Sequence, residues 1–390
     1  MQIPFVLTGK VILILTPQAW GKMKLAKHHY AIELARLGNE VYFLNPPDND
    51  HWSLRTARIE IKPESDQPGL FIIHQQLYFP YKLKFHSRGT YNLLIKKQIR
   101  DILRAIHKPI DILWSFDIGN LFPLSFFDKK IFKIFHPVDE PPDSHAISAA
   151  LDSDVLFSVT REIIEKYAAF KIPSQFINHG LSEDFLENDF HQSEPEHPVN
   201  VALTGNFLRP DLDRNILLQI IRENSEVHFH FYGSYKSTDS NIGASEGLDT
   251  EQFIKELMGF GHVKMHGVFK TKELAIAMNR MDALLICYDM QLDQSKGTNY
   301  HKVMEYLSTG KVIISNNITT YKEYPEMIRM NESRHDNKAL PALFRDTIIN
   351  LPIWNSDELM RKRKSFAVNN TYRHQLERIG NFIQTSKAES

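Results

Sequence analysis

Apolar and polar positions along this chain follow two periods in turn, and each change of period marks an element. Residues 10–16, Lys-Val-Ile-Leu-Ile-Leu-Thr, form a continuous apolar run of the kind a strand buried on both faces requires. A loop with Pro17 and Gly21 follows; Tyr30, Leu34 and Leu37 then recur at helical spacing until Gly38 and Asn39 supply a stop. Glu40–Leu44 reads as the next strand, so the chain opens as a parallel βαβ unit. Further strands are predicted at Leu70–His74, Ile110–Ser115, Ile131–Phe135, Val155–Ser158 and Ser174–Ile177, with helical patterns between most of them.

From about residue 180 to 200 the pattern lapses into polar, proline-bearing sequence, the composition of an interdomain linker. A second series then starts, with strands at Val199–Leu203, Val227–Tyr232, Val263–His266 and Ala283–Tyr288, a helix over Tyr300–Ser308 and a strand at Lys311–Ser315. The alternation predicts an α/β protein of two doubly wound parallel sheets. Such sheets bind ligands at the carboxyl ends of their strands, so two of them facing across a cleft suit a two-substrate transfer.

Composition narrows the class. A chain of 390 residues is too long for one ordinary core, and a net charge of −1 gives no global ground for nucleic acid as a partner. The only cysteine, Cys287, excludes an intramolecular disulfide and a multi-cysteine zinc site, and fits a reducing compartment. Val11–Leu15 is too short to span a bilayer and no signal-peptide pattern follows it, so a cytoplasmic protein is predicted.

The segment of densest chemistry is residues 295–315, Ser-Lys-Gly-Thr-Asn-Tyr-His-Lys-Val-Met-Glu-Tyr-Leu-Ser-Thr-Gly-Lys-Val-Ile-Ile-Ser. A polar, glycine-containing loop feeds a short helix, whose first amides, near Thr298 and Asn299, would face a diphosphate. Lys302 in the first turn adds a point charge, and Glu305, three residues on, lies on the same face, where its carboxylate can take both hydroxyls of a ribose. The structural alternative is a plain amphipathic helix ending at Gly310.

This segment resembles the donor-site signature of GT-B glycosyltransferases, particularly family 4-like enzymes with Lys-x-x-Glu-Tyr-Leu-x-x-Gly-Lys-Pro-Val-Ile. The resemblance implies a GT-B fold and a nucleoside-diphosphate-sugar donor, with Glu305 on the donor ribose. A second family glutamate, eight residues upstream, is Gly297 here. Residues 201–209, Val-Ala-Leu-Thr-Gly-Asn-Phe-Leu-Arg, resemble the first strand and glycine turn of the donor domain, which implies donor contacts at Gly205, Asn206 and Arg209, with Arg214 a further cation. Residues 262–269 are similar to the stretch whose backbone pairs with the base, here near Val268. The closing segment 370–382 resembles the family's last helix, which crosses back to the first domain. The implied layout is an acceptor domain over 1–180, a linker over 181–198, a donor domain over 199–368 and the crossing helix over 369–390.

In the first domain, residues 135–140, Phe-His-Pro-Val-Asp-Glu, follow a strand. His136 and Asp139 are the acceptor-side catalytic candidates, Asp139 foremost, because one of them could orient or deprotonate an acceptor hydroxyl. Gly21 matches the first β-α loop of the family and could let backbone approach a substrate; an ordinary turn would need it equally. Several tempting sites are declined: His28 and His29 point apart on a helix, and Asp289 and Asp293 read as solvated loop residues. No metal is predicted, and no cofactor beyond the donor.

Residues 82–108 hold eight lysines and arginines against one acid, Asp101, beside an apolar face of Leu93, Leu94, Ile95, Ile99, Ile102, Leu103 and Ile106. Such a helix can lie on anionic lipid, as a peripheral contact on the inner face of the membrane, or pack on its own sheet. The predicted activity is glycosyl transfer to a saccharide or lipid-linked acceptor hydroxyl in glycan synthesis. The alternatives are a sugar-nucleotide epimerase of the same fold and a non-catalytic nucleotide-sugar-binding protein.

Overall fold

The computed structural model describes residues 7–21, 24–47, 52, 58–186, 198–236, 247–293 and 296–388. The chain forms two compact units, Met1–Asn178 with Tyr372–Ser390, and His179–Thr371.

The first unit carries β1 (Val11–Leu15), β2 (Glu40–Leu44), β3 (Arg58–Pro63), β4 (Leu70–Gln76), β5 (Ile112–Ser115), β6 (Phe132–Phe135), β7 (Val155–Ser158) and β8 (Ser174–Phe176). Its helices are α1 (Ala26–Arg36), α2 (Leu83–His86), α3 (Arg88–Ile106), α4 (Ser144–Ile147) and α5 (Arg161–Lys166). The strand order is β3-β4-β2-β1-β5-β6-β7-β8. Every neighbouring pair is parallel except β3 with β4. The edge strand β3 was not anticipated, although Ile59 and Ile61 alternate with charged residues as an edge strand with one covered face should. Successive residues of β1 serve opposite faces: Ile12 and Ile14 enter one core with Tyr30, Leu34 and Trp114, while Leu13 and Leu15 enter the other with Ile95 and Ile99.

The second unit carries β9 (Asn200–Asn206), β10 (His228–Ser234), β11 (Val263–Gly267), β12 (Ala283–Ile286), β13 (Val312–Ser315) and β14 (Arg329–Met330). These form one sheet, in the order β11-β10-β9-β12-β13-β14. Its helices are α6 (Arg214–Glu223), α7 (Leu248–Gly259), α8 (Thr271–Asn279), α9 (Lys302–Ser308), α10 (Leu340–Ile349), α11 (Leu351–Trp354) and α12 (Asp357–Val368). The last helix, α13 (Tyr372–Ala388), belongs to the first unit, where Leu376, Ile379 and Ile383 join the core around Tyr30.

The start of the segment read as a linker is core instead. Leu181 bridges to Thr371, and Leu181 and Phe185 pack with the apolar residues of α9 in the second unit. Two of the three apolar side chains in residues 181–186, Leu181 and Phe185, are buried and anchor a stretch whose Glu183 and Asp184 stay exposed. Residues 187–197 of that segment lie outside the described residues.

Candidate functional site

In each sheet the chain winds outward from a central strand on one side, returns, and winds outward on the other. The reversals fall between β1 and β5 and between β9 and β12, and the carboxyl ends at such a point splay apart into a binding crevice.

In the second unit that point gathers most of the predicted donor residues. Strand β9 runs on to Asn206 because Gly205 and Asn206 pair with Gly233 and Ser234 of β10. Glycine is required at Gly233, where a Cβ would collide with the Gly205 carbonyl. A Cβ on Gly205, whose φ is +143°, would stand 3.0 Å from the Lys302 ammonium and 3.6 Å from the Tyr288 hydroxyl. Helix α9 grips this turn from one face: Lys302 Nζ donates to the Thr204 carbonyl, and Tyr306 Oη accepts from Thr204 N at 2.7 Å and donates to Thr204 Oγ1 at 3.1 Å. Lys302 Nζ also donates to Tyr288 Oη at 2.7 Å. Burial lowers the Lys302 pKa against the pull of Tyr306 and Glu305. Glu305 is partly exposed, and its desolvated carboxyl is pushed up to about 7, with Lys302 opposing the rise.

Other candidates are placed differently. Arg209 is not an open diphosphate clamp: its guanidinium forks onto Asp211, Nε at 2.9 Å, and Asp211 is buried. Arg214 turns toward α7, donating to Thr250 Oγ1 at 2.9 Å. Thr298 and Asn299 are 1% and 3% exposed, so their amides are closed off where an open cradle was predicted. The helix itself starts two residues later than predicted, at Lys302.

Asp293 explains the closure. Far from being a solvated loop residue, it is buried and accepts from Gly297 N at 2.8 Å and Tyr300 Oη at 2.7 Å. Gly297 has φ +65°, and a Cβ there would collide with Met290 Cε and lie 2.7 Å from the Asn317 carbonyl. Packing thus dictates glycine where the family signature carries glutamate. Val268 follows Gly267, at φ +77°, and is exposed at the end of β11, with Tyr232 and His266 stacked at 4.4 Å nearby. Asn206 stays partly buried, its Oδ1 accepting from Leu208 N at 3.0 Å.

In the first unit, Asp139 is partly exposed just past β6. His136 is not a surface base. It is fully buried among Tyr30, Trp114, Phe116 and Phe157, both ring nitrogens lack a hydrogen-bond partner among the described residues, and burial drives its pKa down to about 3. Gly21 is partly buried in the β1–α1 loop. That loop is fastened by the start of α1, Lys27 donating to Gln18 Oε1 while His28 Nδ1 accepts from Leu25 N at 2.8 Å and its Nε2 lies 3.1 Å from Ala19 O.

The apolar face of α3 is spent on its own sheet: Ile95, Ile99, Ile102 and Ile106 are core. Lys84 and Arg88 donate to the Gly119 and Asn120 carbonyls at 2.6 and 3.2 Å. Lys96, Lys97, Arg100 and Arg104 stay exposed, as do Phe85 and Leu93 at 70% and 72%. Among the described residues, no helix is long and apolar enough to cross a membrane, and no group of three or more His, Cys, Asp or Glu could hold a metal ion.

No family model matches the chain, and no curated protein matches it in sequence. Solved structures do. Sucrose-phosphate synthase from Thermosynechococcus elongatus superposes with a TM-score of 0.67 at 11% identity, covering 98% of this chain and 100% of that one. HepE from Anabaena, solved in complex with UDP and glucose, gives 0.66 at 11%, covering 96% and 99%. The α,α-trehalose 6-phosphate synthase from Burkholderia multivorans gives 0.64 at 10%, covering 98% of each chain. The fold is that of the GT-B glycosyltransferases, as the signature around Lys302 and Glu305 implied.

Proposed function

We propose that this protein is a glycosyltransferase whose second unit holds a nucleoside-diphosphate sugar and which passes the sugar to an acceptor hydroxyl. The observation that carries the reading is the placement of Lys302 directly against the Gly205 turn at the switch point between β9 and β12, with Glu305 three residues on in the same helix. A cation beside a Cβ-free turn suits a diphosphate, and a partly exposed carboxylate one turn away suits the two hydroxyls of a ribose. Similarity to HepE, which binds UDP and glucose, supports the same donor class here.

In this reading the bond from the anomeric carbon to the diphosphate breaks, and its electron pair leaves with the diphosphate. Lys302 neutralises that charge, aided by Tyr288 and without a metal or any further cofactor. The acceptor oxygen bonds the same carbon and loses its proton to Asp139, while Val268 and its neighbours receive the base through their backbone. Thr298 and Asn299 would contribute amides only with the loop around Asp293 rearranged. The acceptor is assigned to the saccharide or lipid-linked class of glycan synthesis, and the cytoplasm is the assigned compartment. Peripheral contact with anionic lipid is assigned to the outward basic stripe of α3 with Phe85 and Leu93. Vesicle sedimentation of Lys96→Glu/Arg100→Glu checks that contact. Calorimetric titration with UDP, GDP and ADP tests the main reading: at least one should bind, and Glu305→Ala should weaken that binding by about 10- to 100-fold while keeping its fold.

A further inference from the structure

The side chains that α9 leaves open form one short stripe. Between Gly297 and Ile318 every residue is buried except His301 and Glu305. His301 stands just ahead of Lys302 with helical backbone angles, φ −58° and ψ −34°. It and Glu305 are therefore four apart on one face, their Cβ atoms about 5–6 Å from each other. Lys302, next in sequence to His301, is buried and reaches the Gly205 turn instead.

A second imidazole backs the first. His179 is 6% exposed, and its ring meets that of His301 edge-on, the centroids 6.3 Å apart and the planes at 74°. The chain that follows fixes its position: Leu181 N donates to Asn370 O at 2.7 Å, and Leu181 and Phe185 pack with the apolar residues of α9. An imidazole has two ring nitrogens, so it can hold a protein group with one and a ligand with the other.

The backbone ahead of this stripe is committed to the protein. Gly297 N donates to Asp293, and the carbonyls of Gly297 and Thr298 accept from Thr319 N at 2.9 Å and Thr320 N at 3.1 Å. A ligand seated beside Lys302 therefore meets side chains there. With a pentose diol held at Glu305, the next open side chain along the face is the imidazole of His301, whose N–H can donate to a phosphate oxygen.

We propose that His301, backed by the ring of His179, binds the diphosphate of the donor, so that this chain grips the phosphates through the side chains of Lys302 and His301 in place of loop amides. The inference rests on the glycosyltransferase reading and deepens it by naming what recognises the diphosphate.

The test has two stages. Calorimetry with UDP, GDP and ADP comes first; a chain that binds none of them overturns the donor reading itself. Inorganic pyrophosphate is then titrated as a competitor of the nucleoside diphosphate that binds. His301→Ala should weaken both ligands about tenfold or more, the worth of a hydrogen bond to a charged group, while keeping Tm. His301→Phe keeps a ring against His179 but has no donor, and should lose as much, which separates a lost bond from lost packing. His301→Gln, with an N–H restored, should recover part of the affinity. His179→Ala should show a smaller loss on the same two ligands, rescued in His179→Phe. Glu305→Ala should leave pyrophosphate unaffected, so the pentose and diphosphate contacts are told apart. Pyrophosphate that fails to compete in wild type, or that competes equally well in wild type and in His301→Ala or His301→Phe, overturns the proposal.

Discussion

The ammonium of Lys302 and the phenol of Tyr288 meet at 2.7 Å, although one opens a helix and the other follows a strand. That bond joins the carboxyl end of β12 to the glycine turn of β9 through a single buried cation. It leaves the ammonium beside the one place on the turn where a substituent would otherwise sit.

Tyr288→Phe removes one of the two acceptors that Lys302 Nζ uses. A buried ammonium short of a partner costs about 1–3 kcal/mol. Calorimetric scanning should show a lowered Tm, and diphosphate affinity should fall about tenfold, since the cation loses its fixed direction. An unchanged affinity would show that the pair does not organise the anion site.

Glu305→Ala should weaken diphosphate binding by about 10- to 100-fold, the worth of hydrogen bonds to a charged group. The loss should be confined to ligands that carry a ribose, so inorganic pyrophosphate should bind wild type and variant alike. Equal losses for both ligands would move Glu305 off the pentose.

The stability of the apo protein should register the same carboxyl. Its folded pKa, about 7, lies above the ordinary value of 4.5. The folded state therefore holds the proton more tightly, and stability falls as pH rises from about 4.5 through about 7, then levels off. Glu305→Gln stays neutral throughout, so its Tm relative to wild type should be higher at pH 8 than at pH 5. A difference that does not change with pH would mean that this carboxyl does not set the trend.

Gly297→Glu, which would restore the family pattern, should instead destabilise the second unit by roughly 3 kcal/mol or more, because the side chain must enter at positive φ against Met290 and the Asn317 carbonyl. Denaturant unfolding measures it, and a stable variant with altered sugar preference would contradict a packing requirement for glycine at this position.

His136→Phe should be neutral or stabilising. It replaces an imidazole with no hydrogen-bond partner among the described residues by a ring of similar shape inside an aromatic core. Turnover should persist in the variant, whereas Asp139→Asn should lose it; loss in both would return His136 to the chemistry.

The sequence by itself determined most of the elements and their order, because strand and helix periods report locally which side of a segment is apolar; the edge strands β3 and β14 escaped it. It also determined that Lys302 and Glu305 share a helix face, since three residues make nearly one turn. Tertiary structure decided what those groups touch. Thr204 and Lys302 are 98 positions apart in the chain, and no local pattern says that one carbonyl will meet the other's ammonium. Packing also brought Tyr288 to Lys302 across 14 positions, buried Asp293 as the tie of a closed loop through partners only four and seven residues on, and sank His136 among rings from three different segments. Which polar groups are dried out, and against whom, depends on how strands far apart in sequence lie side by side, and desolvation sets both their partners and their pKa values.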